Sequence, residues 1–128
     1  MIRVLAMLFM AGAANAAPMG AAEFDARVTG KTIHYTVDGV PSGVEEYLPH
    51  QRSRWMGPNG ECTEGTWFAN NGMICFDYPD AVLIQCWIVE ERGGRIHAYM
   101  PDTDPASGFI SFQESDTPLP CPGPDLGV

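Results

Sequence analysis

Residues 61–78 read ECTEGTWFANNGMICFDY, and they contain two runs rich in aromatic and β-branched side chains joined by Asn71-Gly72. An Asn-Gly pair favours a type I′ turn because both of its central residues need a positive φ. The stretch therefore predicts a β-hairpin in which Trp67 lies opposite Phe76. This register places four side chains on one face, which we expect to be the core face: Trp67, Ile74, Phe76 and Tyr78.

The flanking sequence extends the same pattern in both directions. In KTIHYTV, residues 31–37, apolar and polar side chains alternate with the period of two that is typical of a strand. Further strands are predicted near residues 44–48, 52–56, 83–91, 95–100 and 107–113. Strands that recur about every ten residues, without a helix of ordinary length, indicate an all-β antiparallel meander of about 7–8 strands. Such a meander forms a barrel-like domain or a sandwich.

A chain of 128 residues has the length of a single domain. We divide it into a signal peptide (1–16), an N-terminal leader (17–30), a β-domain (31–113) and a Pro-rich tail (114–128). The leader is rich in Ala and Gly, and its composition fits either a frayed segment or a single helical turn. The tail has little secondary structure of its own because four prolines occur in its PLPCPGPDLGV sequence.

The first residues, MIRVLAMLFMAGAANAA, have the three parts of a secretory signal peptide. Arg3 supplies the positive charge, Val4 to Met10 form the apolar run, and Ala14-Asn15-Ala16 form the cleavage site. The apolar run is shorter than the ~20 residues that a helix needs to cross a bilayer. We therefore expect cleavage after Ala16, no membrane span in the mature chain, and a periplasmic or secreted location.

The charge balance narrows the choice of partners. The chain has 16 Asp and Glu against 7 Lys and Arg, for a formal net charge of −9. Proteins that bind nucleic acid rely on Lys and Arg to neutralise phosphates, so this acidic protein is not expected to bind nucleic acid.

The four cysteines all follow the signal peptide, and an even number in an exported chain indicates two disulfides. No C-x-x-C motif occurs among Cys62, Cys75, Cys86 and Cys121, which argues against a thioredoxin-like redox site or a zinc knuckle. Three pairings are possible. We favour Cys75–Cys86, because a hairpin that turns at residues 79–82 places these two residues opposite each other, and this leaves Cys62–Cys121 as the second bridge.

Between residues 30 and 90 the motifs resemble those of small exported bacterial proteins that are grouped as a domain of unknown function. The resemblance is carried by a short series of motifs: Gly30-Lys31-Thr32, Trp55, Cys62-x-x-Gly65-x-Trp67, Ile74-Cys75-Phe76-x-Tyr78 and Cys86-Trp87. It implies a compact β-barrel-like domain of the lipocalin or secreted-inhibitor type. It assigns no catalytic residue to this chain.

The candidate chemical motifs each fail on a geometric ground. Gly30-Lys31-Thr32 lacks the earlier Gly of a phosphate-binding loop and begins a predicted strand. The three histidines, His34, His50 and His97, are too widely spaced to indicate a zinc site. The neighbouring pairs Glu45-Glu46 and Glu90-Glu91 point to opposite faces of a strand, and we interpret them as solubilising charges at strand ends. The sequence therefore predicts no catalytic, cofactor or metal site and no enzymatic activity.

Four aromatic residues are the remaining candidates for a site, as core residues or as the lining of a ligand cavity: Trp55, Trp67, Phe76 and Trp87. We hypothesise a non-catalytic domain that binds a small apolar ligand or an envelope protein. An alternative is an inhibitor of a secreted or envelope hydrolase that presents a loop such as Pro101–Gly108, and an uncharacterised enzyme ranks third. An internal apolar cavity of roughly 300 Å³ or more would favour the ligand carrier.

Overall fold

A computed structural model describes residues 17–122. The expected signal peptide (1–16) and the last six residues of the tail (123–128) lie outside the described residues. The elements are one helix, α1 (Ala21–Val28), a short 3-10 turn over Pro105–Ser107, and eight strands: β1 (Thr32–Val37), β2 (Val40–Leu48), β3 (Arg52–Met56), β4 (Cys62–Asn70), β5 (Met73–Asp77), β6 (Gln85–Arg92), β7 (Arg95–Tyr99) and β8 (Phe109–Ser115).

The eight strands form a closed antiparallel barrel in which each strand pairs with the next and β8 pairs back with β1. This confirms the all-β prediction and selects the barrel over the sandwich. Closure satisfies the backbone groups that an open sheet would leave unpaired at its edges. An eight-stranded barrel has an interior just wide enough to be filled by side chains or to hold one small ligand.

The central hairpin has the predicted register. Asn71 and Gly72 both have positive φ, of 50° and 74°, and Trp67 pairs with Phe76 across β4 and β5. Both backbone angles suit the type I′ turn, which matches the twist of the flanking strands. The Asn-Gly pair thus sets which side chains of this hairpin point into the barrel.

Both predicted disulfides are present, and no cysteine among the described residues is free. Cys75 lies opposite Cys86 in the β5–β6 ladder, as the hairpin arithmetic requires. Cys62–Cys121 joins the start of β4 to the tail. Two further contacts hold the tail: the Leu119 N–H donates to Glu46 Oε2 at 2.7 Å, and Thr32 Oγ1 donates to the Thr117 carbonyl at 2.7 Å.

The segment from 17 to 30 differs from a frayed leader or a single turn, because α1 makes two turns and packs into the barrel. Phe24 and Val28 are fully buried, and the edge of the Phe24 ring meets Trp67 with 4.9 Å between ring centroids. Arg27 forms ion pairs with Glu91 and Glu114 at this end of the barrel. The helix therefore belongs to the folded domain and fills one end of it. Within residues 17–122, no helix is long and apolar enough to cross a membrane.

Candidate functional site

The barrel encloses a cavity of about 410 Å³. Phe24 of α1 lies at its inner end, so the helix forms part of the cavity floor. The exposed residues Asp80, Ala81 and Gln85, at the connection between β5 and β6, lie where the cavity reaches the surface. The cavity is thus closed by the helix on one side and open beside the β5–β6 connection.

Half of the residues that line the cavity are aromatic. Phe109 of β8 meets Trp87 edge-on at 5.2 Å and Trp55 at 5.9 Å between ring centroids. Phe76 also lines the cavity, whereas Trp67 does not and is only 1% exposed. Of the four aromatic residues selected from the sequence, three therefore line the cavity and Trp67 belongs to the core around Phe24.

The expectation that the Glu45-Glu46 and Glu90-Glu91 pairs are solubilising strand-end charges is wrong for three of the four residues. Glu45, Glu46 and Glu90 are all buried, while Glu91 is exposed and pairs with Arg27. Neighbours on a strand do point to opposite faces, but in a closed barrel this sends one member of the β2 pair into the interior. Glu45 thus faces the cavity, whereas Glu46 is bonded by the Leu119 N–H of the tail and Glu90 by the Tyr99 hydroxyl.

Glu45 is the buried acidic residue of the cavity wall and is 2% exposed. The Tyr78 hydroxyl donates a hydrogen bond to Glu45 Oε1, but Glu45 Oε2 is buried without a partner. Burial raises the pKa of Glu45 from 4.5 to about 8, and the hydrogen bond from Tyr78 only partly opposes this shift. At neutral pH the empty site therefore holds mainly a protonated carboxyl with one unused polar oxygen.

Three phenols surround Glu45. The Tyr35 and Tyr47 hydroxyls hydrogen-bond to each other at 2.8 Å, and Tyr78 is bonded to the carboxyl. Burial, the largest cause in each case, raises the pKa of all three phenols well above 10. They stay neutral over the ordinary pH range. Ser53 lies close enough to weakly lower the pKa of both Glu45 and Tyr78, yet its buried Oγ lacks a partner in good hydrogen-bond geometry.

Two inward-facing glycines make room for this arrangement. A Cβ atom on Gly65 would lie 2.6 Å from the Tyr78 ring and 2.5 Å from the Asp77 carbonyl oxygen. A Cβ atom on Gly43 would lie 2.2 Å from the Trp55 ring. Real Cβ contacts are not this short, so both rings occupy space that only glycine leaves free. Gly65 of the C-x-x-G-x-W motif thus lets the Tyr of the C-F-x-Y motif reach Glu45.

The other buried carboxylates are fully engaged in structural contacts. Glu90 accepts from the Tyr99 hydroxyl at 2.6 Å and pairs with Arg92 at 2.6 Å. Burial alone would raise the pKa of Glu90, but the hydrogen bonds from Tyr99 and Arg92 outweigh that effect and lower it. Glu90 therefore differs from Glu45, which has a free oxygen and no basic partner.

The histidines do not form a catalytic or metal-binding cluster within residues 17–122. His97 pairs with Glu90 across β6 and β7, but among the described residues its buried Nδ1 has no hydrogen-bond partner. No group of three or more His, Cys, Asp or Glu side chains in that range is arranged to hold a metal ion. The residues considered from the sequence, His34, His50 and His97, are not brought together.

Two exposed segments lie outside the cavity. The loop proposed for an inhibitor, Pro101–Gly108, contains a 3-10 turn capped by Asp104, whose Oδ1 accepts from the Ala106 N–H at 2.9 Å. Beside the cavity mouth, Val82, Leu83 and Ile84 are all exposed. Because Ala81 and Gln85 line the cavity on either side of them, these three apolar side chains lie next to its entrance.

Comparison of the chain with family models, curated proteins and solved structures found no match. The class of protein is therefore defined by its own architecture. It is a closed eight-stranded barrel with an aromatic cavity, a plugging helix and a buried carboxyl.

Proposed function

We propose that the protein is a non-catalytic binding protein that holds a small, largely apolar ligand inside its barrel. The observation that carries this proposal is the cavity of about 410 Å³ walled by aromatic rings. Ligand pockets commonly measure about 300–1,000 Å³ and combine apolar walls with a few polar groups that orient the ligand. Glu45 and Tyr78 are such groups.

The cavity also bears on the alternative of a hydrolase inhibitor. An inhibitor that acts through Pro101–Gly108 needs only a rigid scaffold, for which a filled core serves best. In this small domain, however, Trp55 and Trp87 surround empty space instead of packing against each other through the centre. A small domain has little apolar surface to bury, so a cavity of this size lowers its stability unless a ligand uses it.

We further propose that the protein works in the periplasm or outside the cell. The two disulfides support an oxidising compartment, and the sequence of residues 1–16 supports export. Ligand uptake beside Val82, Leu83 and Ile84 would then occur in the same compartment.

The test is the binding of a neutral naphthalene-type probe, 1-naphthylmethanol, followed by calorimetry and by the fluorescence of the tryptophans. We expect one probe molecule per protein. Ala98→Leu places a larger side chain in the cavity and should weaken binding at least about tenfold, a change of ~1.4 kcal/mol. The matched control is Ala26→Leu on the exposed side of α1, which should bind like the wild type. Equal affinity in all three proteins would contradict the proposal.

A further inference from the structure

We propose that the ligand is an organic amine, bound as its ammonium ion with Glu45 as the counter-ion and its apolar part among Trp55, Trp87 and Phe109. This inference rests on the proposed function of the cavity and names the chemical class of its ligand. It is carried by the unpaired buried oxygen of Glu45, the sign of the charged groups along the wall, and the aromatic surroundings.

The polar groups that line the cavity determine which ligand groups can bind there. The Tyr35 and Tyr47 hydroxyls share one hydrogen bond, and the Tyr78 hydroxyl donates to Glu45 Oε1. Glu45 Oε2 has no partner, although a buried polar atom without one costs about 1–3 kcal/mol. In the empty site Oε2 carries the Glu45 proton, and a ligand ammonium can displace this proton and donate to Oε2 itself. The bound carboxylate then accepts one hydrogen bond on each oxygen, from Tyr78 and from the ligand.

The charge of the side chains that line the cavity also favours a cation. Two acidic residues, Glu45 in the wall and Asp80 at the mouth, line the cavity, and none of the described lining residues is Lys, Arg or His. Arg27, the basic residue of α1, is already paired with Glu91 and Glu114. A ligand carboxylate or phosphate would thus approach acidic groups without a compensating cation. A ligand ammonium would be attracted by Asp80 at the mouth, and by Glu45 once that carboxyl has lost its proton.

The aromatic rings near Glu45 favour a cation as well. Trp55 pairs directly with Glu45 across β2 and β3, and Tyr47 and Tyr78 also lie beside that carboxyl. Faces of Trp and Tyr rings attract cations through their quadrupole, by about 0.5–2 kcal/mol according to how dry the site is. The rings around Glu45 and the Glu45 carboxylate therefore both favour a positively charged ligand. Farther toward Phe109, the walls contain no charged group and suit a hydrocarbon or aryl body.

A proton-linkage test follows from this arrangement. In the empty site Glu45 is protonated below about pH 8, whereas the ion pair requires the carboxylate, so binding releases the Glu45 proton to solvent. The groups that face Glu45 from the neighbouring elements are Tyr35, Tyr47, Ser53 and Tyr78, and the phenols among them stay neutral between pH 6 and pH 9. An alkylammonium also keeps its proton over most of this range, as lysine does with a pKa of ~10.4. Affinity for the amine should therefore rise with pH up to about pH 8, by as much as about tenfold per unit.

The experiment compares 1-naphthylmethylamine with its neutral counterpart 1-naphthylmethanol by calorimetry at pH 6, 7, 8 and 9. In the wild-type protein the amine should bind more tightly than the alcohol, and its advantage should grow between pH 6 and pH 8. Titration in buffers of different ionisation enthalpy should show the release of nearly one proton per amine bound at pH 7. This second readout needs no variant. Glu45→Gln should lose both the preference for the amine and its pH dependence.

Glu90→Gln is the matched control, because Glu90 is equally buried but does not line the cavity. It should retain the wild-type preference. If the alcohol binds as well as the amine, or if amine affinity does not rise between pH 6 and pH 8, the ligand class is wrong while the proposed binding function stands. If neither compound binds, the binding function itself is contradicted.

Discussion

Replacing Glu45 by Gln should remove a pH dependence from the free energy of unfolding. Gln has the same shape as a protonated Glu, and its amide oxygen can accept the Tyr78 hydrogen bond that Glu45 Oε1 accepts. The substitution therefore removes only the ability to ionise. Any change of stability with pH that disappears in Glu45→Gln belongs to that ionisation.

The sign and size follow from the pKa. Glu45 has a pKa of about 8 in the folded protein against an ordinary value of 4.5, so the folded state holds the proton more tightly than the unfolded state does. The stability associated with Glu45 is fully present below about pH 4.5 and is lost as the pH rises to 8. One pKa unit corresponds to about 1.4 kcal/mol, which makes the loss between pH 5 and pH 9 about 3–4 kcal/mol.

Urea unfolding of the oxidised protein between pH 5 and pH 9 measures this loss. The wild type should be less stable at pH 9 than at pH 5, and Glu45→Gln should approach the same free energy of unfolding at both. At pH 9 the variant should be the more stable protein. Glu90→Gln, which keeps Glu45, should show the wild-type decline. Parallel pH profiles for the wild type and Glu45→Gln would refute the assignment of a raised pKa to this buried carboxyl.

Three further predictions concern the core, the disulfides and activity. Trp67→Ala should reduce the free energy of unfolding by about 3–5 kcal/mol, because Trp67 is buried against Phe24. The folded fraction should still bind the naphthalene probe. An unchanged melting temperature with lost binding would contradict this prediction. Peptide mapping should recover Cys75–Cys86 and Cys62–Cys121, and a Cys62–Cys75 peptide would be incompatible with the barrel register. Removing the Cys62–Cys121 bridge should lower the free energy of unfolding by about 4 kcal/mol in the chain-entropy model. The purified domain should show no hydrolase, transferase or redox turnover, and turnover that disappears on replacing His97 would overturn the non-enzymatic assignment.

Local sequence rules were sufficient for the hairpins. The Asn71-Gly72 turn and the alternation around Trp67 and Phe76 involve residues close together in the chain, and the same counting gives the Cys75–Cys86 pair. The all-β class follows from the repetition of this pattern. Closure into a barrel depends on β8 meeting β1, which no local pattern encodes.

The helix and the cavity were harder to predict for physical reasons. Only Phe24 and Val28 form the buried stripe of α1, and two apolar residues four apart do not establish a helical period. The period of two along β2 places Glu45 on the same inner face as Gly43 and Tyr47, so the burial of Glu45 could have been predicted from this pattern. The volume of the cavity depends on how eight inner faces fit together, including the positions of Gly43 and Gly65, which have no side chain, and of Ala98, which has only a methyl group.

The most direct test of the binding site is an NMR structure of the protein saturated with 1-naphthylmethanol. We predict intermolecular nuclear Overhauser effects from the naphthalene protons to the rings of Trp55, Trp87 and Phe109, which line the cavity. Contacts that instead involve only the exposed side chains of Val82, Leu83 and Ile84, with the cavity resonances unchanged, would contradict the account that the barrel interior is the binding site.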